Sequence, residues 1–393
     1  MEEKKIKICA LTTISKTMDW FVVDPMRNLA NNGYDVTLIC NMDEAFAKEN
    51  SDYAKCISLP MARGASISDL FKSTKALKKI FKEEKFDVLY YTSPNVSMYA
   101  SLAGKSVGIK TRVYSQCGLR YVSFTGIKRW IFKMLEKITC AHSTHIRAQS
   151  PLNMEFAIEE GLCKREKITV VGIGGTTGVD LGLCDAIDRQ EAKQKLREKY
   201  QIPMDGFVYG YVGRLNRDKG INELIEAFEI VKDENPRAYL MLVGMHDKTN
   251  SITDQNMQKA QENPRVILTG NVPKDEVYRH MATFDALVHP TYREGFGKVL
   301  QEAMGMSLPI ITTNVPGPSE VIENGKYGLM VEVQNPKDLA EKMQLMEKDP
   351  ELRENLARLG RSRAEQYFDR PIMLNNILVD MNEIMGVKDK CVL

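Results

Sequence analysis

Apolar residues fall in short, nearly unbroken runs separated by stretches with helical spacing. IKICAL (6–11) is one such run, and DVTLIC (35–40), FDVLYYT (86–92) and TRVYS (111–115) follow it. Continuous apolar runs of this length predict strands buried on both faces. The stretches between them predict helices. FVVDPMRNLANNG has Pro25 near its start and Gly33 at its end, the usual punctuation of a helix. LFKSTKALKKIFKEEK (70–85) sets Leu70, Ala76, Leu77, Ile80 and Phe81 among lysines, and SMYASLAGKSVG is a further helix. Strands alternating with helices predict a parallel sheet with helices on both sides.

The rhythm restarts at FVYGYVG (207–213). A helix with Ile221, Leu224, Ile225 and Phe228 at helical spacing follows, then the strands AYLMLVG, VILTGNV, ALVHP and PIITTN, with a helix before ALVHP. The chain therefore reads as two α/β domains over residues 1–181 and 206–366. The charged stretch 182–205, with EAKQKLREKY and Pro203, reads as their linker. Residues 367–393 read as a helix that packs back on the first domain. A length of 393 residues fits this, at roughly 100–200 residues per domain.

Composition narrows the function. Lys+Arg 54 against Asp+Glu 52 gives a net charge of +2, so no overall basic field favours nucleic acid. The eight cysteines are scattered, with no C-x-x-C pair, which points to a reducing, cytoplasmic setting and no disulfide framework. The opening MEEKKIKICALTT lacks the apolar core of a secretion signal. No run approaches the ~18 apolar residues of a membrane span.

Candidate chemistry concentrates in the second domain. In HPTYREGFGKVLQEAM a strand ends at Pro290 and a loop carries Arg293, Glu294, Gly295, Phe296 and Gly297. A helix then starts near Lys298, with Val299, Leu300, Ala303 and Met304 toward the core. Glycines there let an anionic ligand approach bare N–H groups at a helix N-terminus. Glu294 and Glu302 are too far apart to touch, and suit hydroxyl groups at two points of one elongated ligand. In GYVGRLNRDKGINEL the strand ends at Gly213, and Arg214 and Lys219 lie in the loop before a helix starting near Gly220. Two cations at a strand's carboxyl end form a phosphate clamp. Taken singly, Glu-x7-Glu also fits two solvated helix charges, and GRLNRDKG a surface turn with an ion pair. Their occurrence at strand ends of one domain favours the ligand reading.

These residues, with Leu215, Asp218, Ala303, Pro318 and Glu320, make the chain resemble the retaining glycosyltransferases of family 4, which have the GT-B fold. That fold is two Rossmann-like parallel-sheet domains facing an interdomain cleft. The likeness is strongest over 207–328, and KITVVGIGGTTGVD (167–180) resembles the end of that family's first domain. The resemblance implies catalytic roles for Arg214, Lys219 and Glu294: the two cations on the donor diphosphate, Glu294 on the sugar hydroxyls. Gly213, Gly295, Phe296, Gly297, Lys298 and Val299 would line the donor with backbone groups. Glu302 would bind the ribose, and Asn271 and Val272 the base. It implies a hexosyl- or N-acetylhexosaminyltransferase that needs no metal or other cofactor, and the sequence shows no D-x-D motif. The donor would be a nucleotide-diphosphate sugar, with UDP favoured. The acceptor would be a glycan, free or on a lipid diphosphate, as in bacterial capsule or O-antigen assembly. Two other readings fit the same fold: a nucleotide-sugar epimerase, and a non-catalytic nucleotide-sugar-binding subunit. Many family members carry Gly-Gly in the first loop of the N-terminal domain. Here that loop is TTISKTMDW, without glycine, and Thr13, Ser15, Lys16 or Asp19 would instead shape an acceptor pocket.

Other features stay open at this level. His142 and His145 have H-x-x-H spacing without a further ligand cluster. His289 lies at a strand end before Glu294, placed either to line the donor site or simply to end the strand. Gln116, Cys117, Gly118, Arg120 and Tyr121 form a polar loop after TRVYS, where Arg120 would meet an acceptor phosphate or a surface carboxylate. GIKRWIFKMLEKI (126–138) sets Ile127, Trp130, Ile131, Met134 and Ile138 at helical spacing, with Lys128, Arg129, Lys133 and Lys137 largely on another face. It fits a helix packed on its own sheet, or one lying peripherally on the anionic inner face of the cell membrane.

Overall fold

The computed structural model describes residues 5–61, 67–247 and 250–387. The chain divides into two units, Met1–Thr177 with Pro371–Leu393, and Gly178–Arg370.

The first unit is built on seven strands: β1 (Lys7–Ile14), β2 (Asp35–Asn41), β3 (Ala54–Ser58), β4 (Val88–Tyr91), β5 (Thr111–Gln116), β6 (His145–Ala148) and β7 (Ile168–Val170). They pair in the order β3-β2-β1-β4-β5-β6-β7, all parallel. Alternate residues of β1 and β4 feed opposite cores. Cys9, Leu11, Leu89 and Tyr91 go to one side, and Ile8, Ala10, Val88 and Tyr90 to the other. Burial on both faces is why these strands read as unbroken apolar runs. β3, β6 and β7 escape that reading because AKCIS, HIRA and ITV are short and carry polar residues.

The second unit has six parallel strands: β8 (Phe207–Val212), β9 (Ala238–Val243), β10 (Val266–Gly270), β11 (Ala286–His289), β12 (Ile310–Thr313) and β13 (Leu329–Val331). Their order is β10-β9-β8-β11-β12-β13. The order reverses between β8 and β11. Loops leaving neighbouring strands in opposite directions open a crevice at the carboxyl ends there.

Two boundaries differ from the sequence reading. Residues 182–205 belong to the second unit and include the helices Leu181–Asp185 and Arg189–Lys199. Arg197 ties them in. Its guanidinium is fully buried, donates to the carbonyls of Pro203, Met204, Gly206 and Thr283, and pairs with Asp285 at 2.8 Å. A charged helix looked like a solvated linker because these acceptors include one 88 residues away. The chain passes between the units at 177/178 and 370/371. On the second unit's side these passages are joined by Val179 N–H to Phe368 O and Arg370 N–H to Val179 O, each 2.8 Å. The helix Arg370–Met385 then packs against the first unit: Leu374 O accepts from Asn28, Asn382 from Tyr34, and Asp380 pairs with Arg147 at 2.8 Å.

Replacing Arg197 with Leu leaves buried carbonyls without a donor and strips Asp285 of its buried partner. Breaking a buried pair from one side costs about 3–5 kcal/mol. The urea midpoint should fall accordingly with an unchanged m-value; a shift under about 1 kcal/mol would show that the arginine network does not anchor this segment.

Candidate functional site

Two loops build the site at the β8/β11 reversal. After β8, Asn216 caps a single turn, Arg217–Lys219, by accepting from the Lys219 N–H at 3.1 Å. Gly220 then takes φ +69°, and a Cβ there would lie 1.9 Å from the Pro290 carbonyl oxygen. Only glycine allows this contact between the two loops. Asp218 stitches it further. Its carbonyl accepts from Tyr292 N–H (2.9 Å) and Thr291 Oγ1 (3.2 Å), and its carboxylate pairs with Arg293 at 2.7 Å.

This closeness puts Lys219 Nζ in direct contact with Glu294 Oε2. His289, the last residue of β11, is 2% exposed, and its Nε2 is 3.5 Å from the same oxygen. Its ring stacks on Tyr211 at 5.7 Å and 10°. Burial alone would push the Glu294 carboxyl up, but the Lys219 charge and the His289 imidazole outweigh it and hold it well below the usual range. Burial pushes His289 down, so it is neutral near pH 7.

Arg214 goes elsewhere. It is 69% exposed and pairs with Asp247 at 2.9 Å, and Asn216 donates to the same carboxylate at 3.3 Å. Gly213 continues β8 by donating to Val243 O at 2.9 Å. Gly297, at φ +96°, starts the helix Lys298–Gly305. The first N–H groups of any helix, here at Lys298 and Val299, have no acceptor within it. Gly295 N–H turns back to Glu294 Oε1 at 3.4 Å. The Phe296 side chain is buried edge-on against Phe368 at 5.8 Å, so what it can offer a ligand is backbone. Glu302 sits one turn into the helix, and burial pushes its carboxyl up against the opposing charges of Lys298, Arg370 and Lys274. Asn271 is exposed and Val272 half-buried, directly after β10. The site thus joins Lys219, Glu294 and His289 directly, while Arg214, Glu302, Asn271 and Val272 are separate stations around it.

Residues 192–363 match the model of the family described as glycosyl transferases group 1, and 7–150 match glycosyl transferase 4-like. The capsular polysaccharide biosynthesis glycosyltransferase CapM of Staphylococcus aureus is 32% identical over 372 residues, covering 94% of this chain and 95% of that protein. The chain belongs to this glycosyltransferase family. The UDP-Gal:alpha-D-GlcNAc-diphosphoundecaprenol alpha-1,3-galactosyltransferase of Escherichia coli is 26% identical over 318 residues, 78% of each chain. The glycosyltransferase also shares the GT-B fold with Anabaena Alr3699/HepE, solved in complex with UDP-glucose, at TM-score 0.78 and 19% identity, over 96% of this chain and 100% of that one.

Several residues of the candidate site were not legible in sequence. Asn216 had a local signal, since an Asx residue opening a tight turn caps it. Asp247 had none, being 31 residues from Asn216. Tyr211 read only as a strand residue. In the first unit, β1 runs on to Ile14 and the helix Ser15–Phe21 follows at once, so the glycine-free segment is strand and helix. Thr12 Oγ1 turns back to Ile14 O at 3.0 Å, and Lys16 lies over the Trp20 ring. After β5, Gln116 donates to buried Glu136 at 2.8 Å, Tyr121 donates to Glu160 at 3.2 Å, and Cys117 accepts from Thr92. The Arg120 side chain lies outside the described residues. His142 contacts Ile138 O and His145 contacts Thr144 Oγ1, so the two histidines have separate partners.

The helix Gly126–His142 presents two apolar faces. Phe132 and Leu135 pack on the core, with Glu136, Thr139 and Cys140 buried. Ile127 and Trp130 are 78% and 63% exposed, beside exposed Ile131 and Met134. The stripe noted in the sequence is therefore the outer face. Lys133 and Arg129 both pair with Glu160, and Lys128 lies over Phe124.

The two glutamates should respond oppositely to pH. Glu302 has a raised folded value, so its contribution is full below the unfolded value and is lost as pH rises through the folded one. Glu302→Gln should therefore melt higher than the parent at about pH 7.5 and equal it near about pH 4. Glu294 has a depressed value, so its contribution is present above the unfolded value and lost as pH falls through the folded one. Glu294→Gln should melt lower at about pH 7.5. Calorimetric melts with both variants moving the same way would contradict these environments.

Proposed function

We propose that this glycosyltransferase moves a sugar from a UDP-sugar to a hydroxyl of a lipid-diphosphate-linked glycan, with retention, in surface polysaccharide assembly. The observation that carries the reading is the meeting of Lys219 and Glu294 at the strand-order reversal, beside the N-terminus of Lys298–Gly305. The relatives' names supply the chemistry class: capsular polysaccharide in one, a UDP-sugar donor and a diphosphoundecaprenol acceptor in another, UDP-glucose in a solved neighbour.

The residues divide the work. Departure of the nucleotide is the costly event, and Lys219, Arg214 and the helix N–H groups meet the developing diphosphate charge. With that charge so covered, the reaction proceeds without a metal. Glu294 accepts hydrogen bonds from sugar hydroxyls. A carboxylate held so far below its usual range is a weak base and a weak nucleophile, which favours attack by the acceptor on the face the leaving group vacates. Glu302 accepts from the ribose, and Asn271 and Val272 flank the base. Lys219→Ala should lower turnover about 100- to 1000-fold, the scale of one lost transition-state charge contact, and EDTA should leave turnover unchanged. Glu302→Ala should weaken UDP and UDP-sugar alike, whereas Glu294→Ala should spare UDP and harm transfer. Equal losses of UDP affinity in calorimetry would remove Glu294 from the sugar. Conversion of the UDP-sugar into its epimer with UDP still attached, and no acceptor needed, would favour the epimerase reading.

The outer face of the helix Gly126–His142 supports a membrane location for the acceptor. Among the described residues no helix is long and apolar enough to cross a membrane. The outer stripe of Ile127, Trp130, Ile131 and Met134, flanked by Lys128, suits insertion into an anionic interface. Docking there, on the inner face of the cell membrane, brings a lipid-linked acceptor to the enzyme. Ile127→Asp with Trp130→Ser should abolish cosedimentation with anionic vesicles and leave UDP affinity intact. Unchanged cosedimentation in that variant would move docking off this helix, and none in the parent at low salt would assign the acceptor to solution.

A further inference from the structure

Glu294 Oε2 is claimed by two groups at once. Lys219 Nζ is in contact with it, and His289 Nε2 stands 3.5 Å away, outside hydrogen-bonding geometry. Both ring nitrogens of His289 are buried without a hydrogen bond. A buried polar atom left so is costly, and such a group calls for an explanation. The ring cannot easily turn to find another partner. It lies flat on Tyr211, whose own hydroxyl is committed to the Arg214 carbonyl at 3.0 Å. The charged groups acting on it are Glu294 and Lys219.

We propose that Lys219 is a transferable cation, held on Glu294 until the donor diphosphate draws it away, and that His289 is the positioning residue that then holds Glu294 through an Nε2–H to Oε2 hydrogen bond. This rests on the donor-site reading above. The exchange balances charge at each stage. Lys219 and Glu294 neutralise one another as the structure has them. An arriving diphosphate brings at least two negative charges, a stronger attraction for an ammonium on a flexible four-carbon stem. Without Lys219, Glu294 would be a half-buried carboxylate lacking its counter-charge. Closing the 3.5 Å gap by about half an ångström gives it a neutral donor at hydrogen-bond distance. The sugar hydroxyls then meet a carboxylate held in place. The arrangement also explains why a histidine ends β11: a plain aliphatic residue would fill the space against Tyr211, but could not take over the carboxylate.

Proton NMR titration of the histidines in the full chain reads the exchange directly, with His289→Gln assigning the signal among five histidines. In the parent, His289 titrates low. Lys219→Met removes a like charge and frees Glu294, so the His289 midpoint should move up. Saturating UDP should move it up in the parent, by drawing Lys219 off. Glu294→Gln should suppress both movements. An unchanged midpoint in Lys219→Met overturns the link between the three residues, and needs no nucleotide to be read. An unchanged midpoint in the parent with UDP bound overturns the transfer of Lys219. Failure of UDP to bind at all overturns the donor-site reading and the transfer with it, while the Lys219→Met comparison still decides whether His289 answers to Glu294. In turnover, His289→Leu should lower kcat about 10- to 100-fold with KM nearly constant, and His289→Gln, which keeps an N–H donor, should recover most of it. Equal losses in both variants, or a loss confined to thermal stability, would make His289 a packing residue only.

Discussion

In the second unit Gly220 packs backbone to backbone against the Pro290 carbonyl, at a distance no Cβ permits. That contact joins two loops that the reversal of strand order would otherwise send apart. Asp218 reinforces it from both its carbonyl and its carboxylate. Lys219 and Glu294, 75 residues apart in sequence, meet only because the residues beside them are locked in this way. The parallel sheet supplies the crevice, and the glycine lets its two loops touch.

Much of this was legible along the chain. Apolar runs buried on both faces announce themselves, so β1, β2, β4, β5, β8, β9, β11 and β12 could be read off. So could the loops at the ends of β8 and β11, because their glycines and charges fall together at strand ends of one domain. What escaped were features whose cause lies far away in sequence. Arg197 looked like one more charge on a solvated helix until its acceptors, from Pro203 to Asp285, were in view. Asp247 carries no local sign that it will hold Arg214. Short edge strands such as β13 bury too little to leave a pattern.

The helix Gly126–His142 marks a different limit. Periodicity correctly found its apolar stripe, but periodicity says only that residues share a face. Which face the core takes depends on competition, and here Phe132 and Leu135, with buried Glu136, Thr139 and Cys140, win it. A helix with apolar groups on both sides has more apolar surface than its own sheet can cover. The uncovered remainder is then set by something other than folding of this unit, since exposing Ile127 and Trp130 brings the fold no gain.

The two glutamates of Glu-x7-Glu show how one spacing yields two chemistries. Both are carboxylates at least partly withdrawn from water, and burial pushes both upward. Glu294 has a lysine in contact and an imidazole beside it, and these reverse the effect. Glu302 has the opposing charges of Lys298, Arg370 and Lys274, and burial prevails. A group held ionised by neighbours that must change partners suits the end of the ligand where charge moves. A carboxyl that burial pushes up suits the end where a diol can hydrogen-bond to it without any charge moving, and each hydroxyl it accepts lowers the cost of its ionised form. Pairs of titratable groups driven apart by their surroundings divide labour in this way. In this glycosyltransferase the proposed division rests on what stands against Glu294: the Lys219 contact that Gly220 makes possible, and the His289 imidazole beside it.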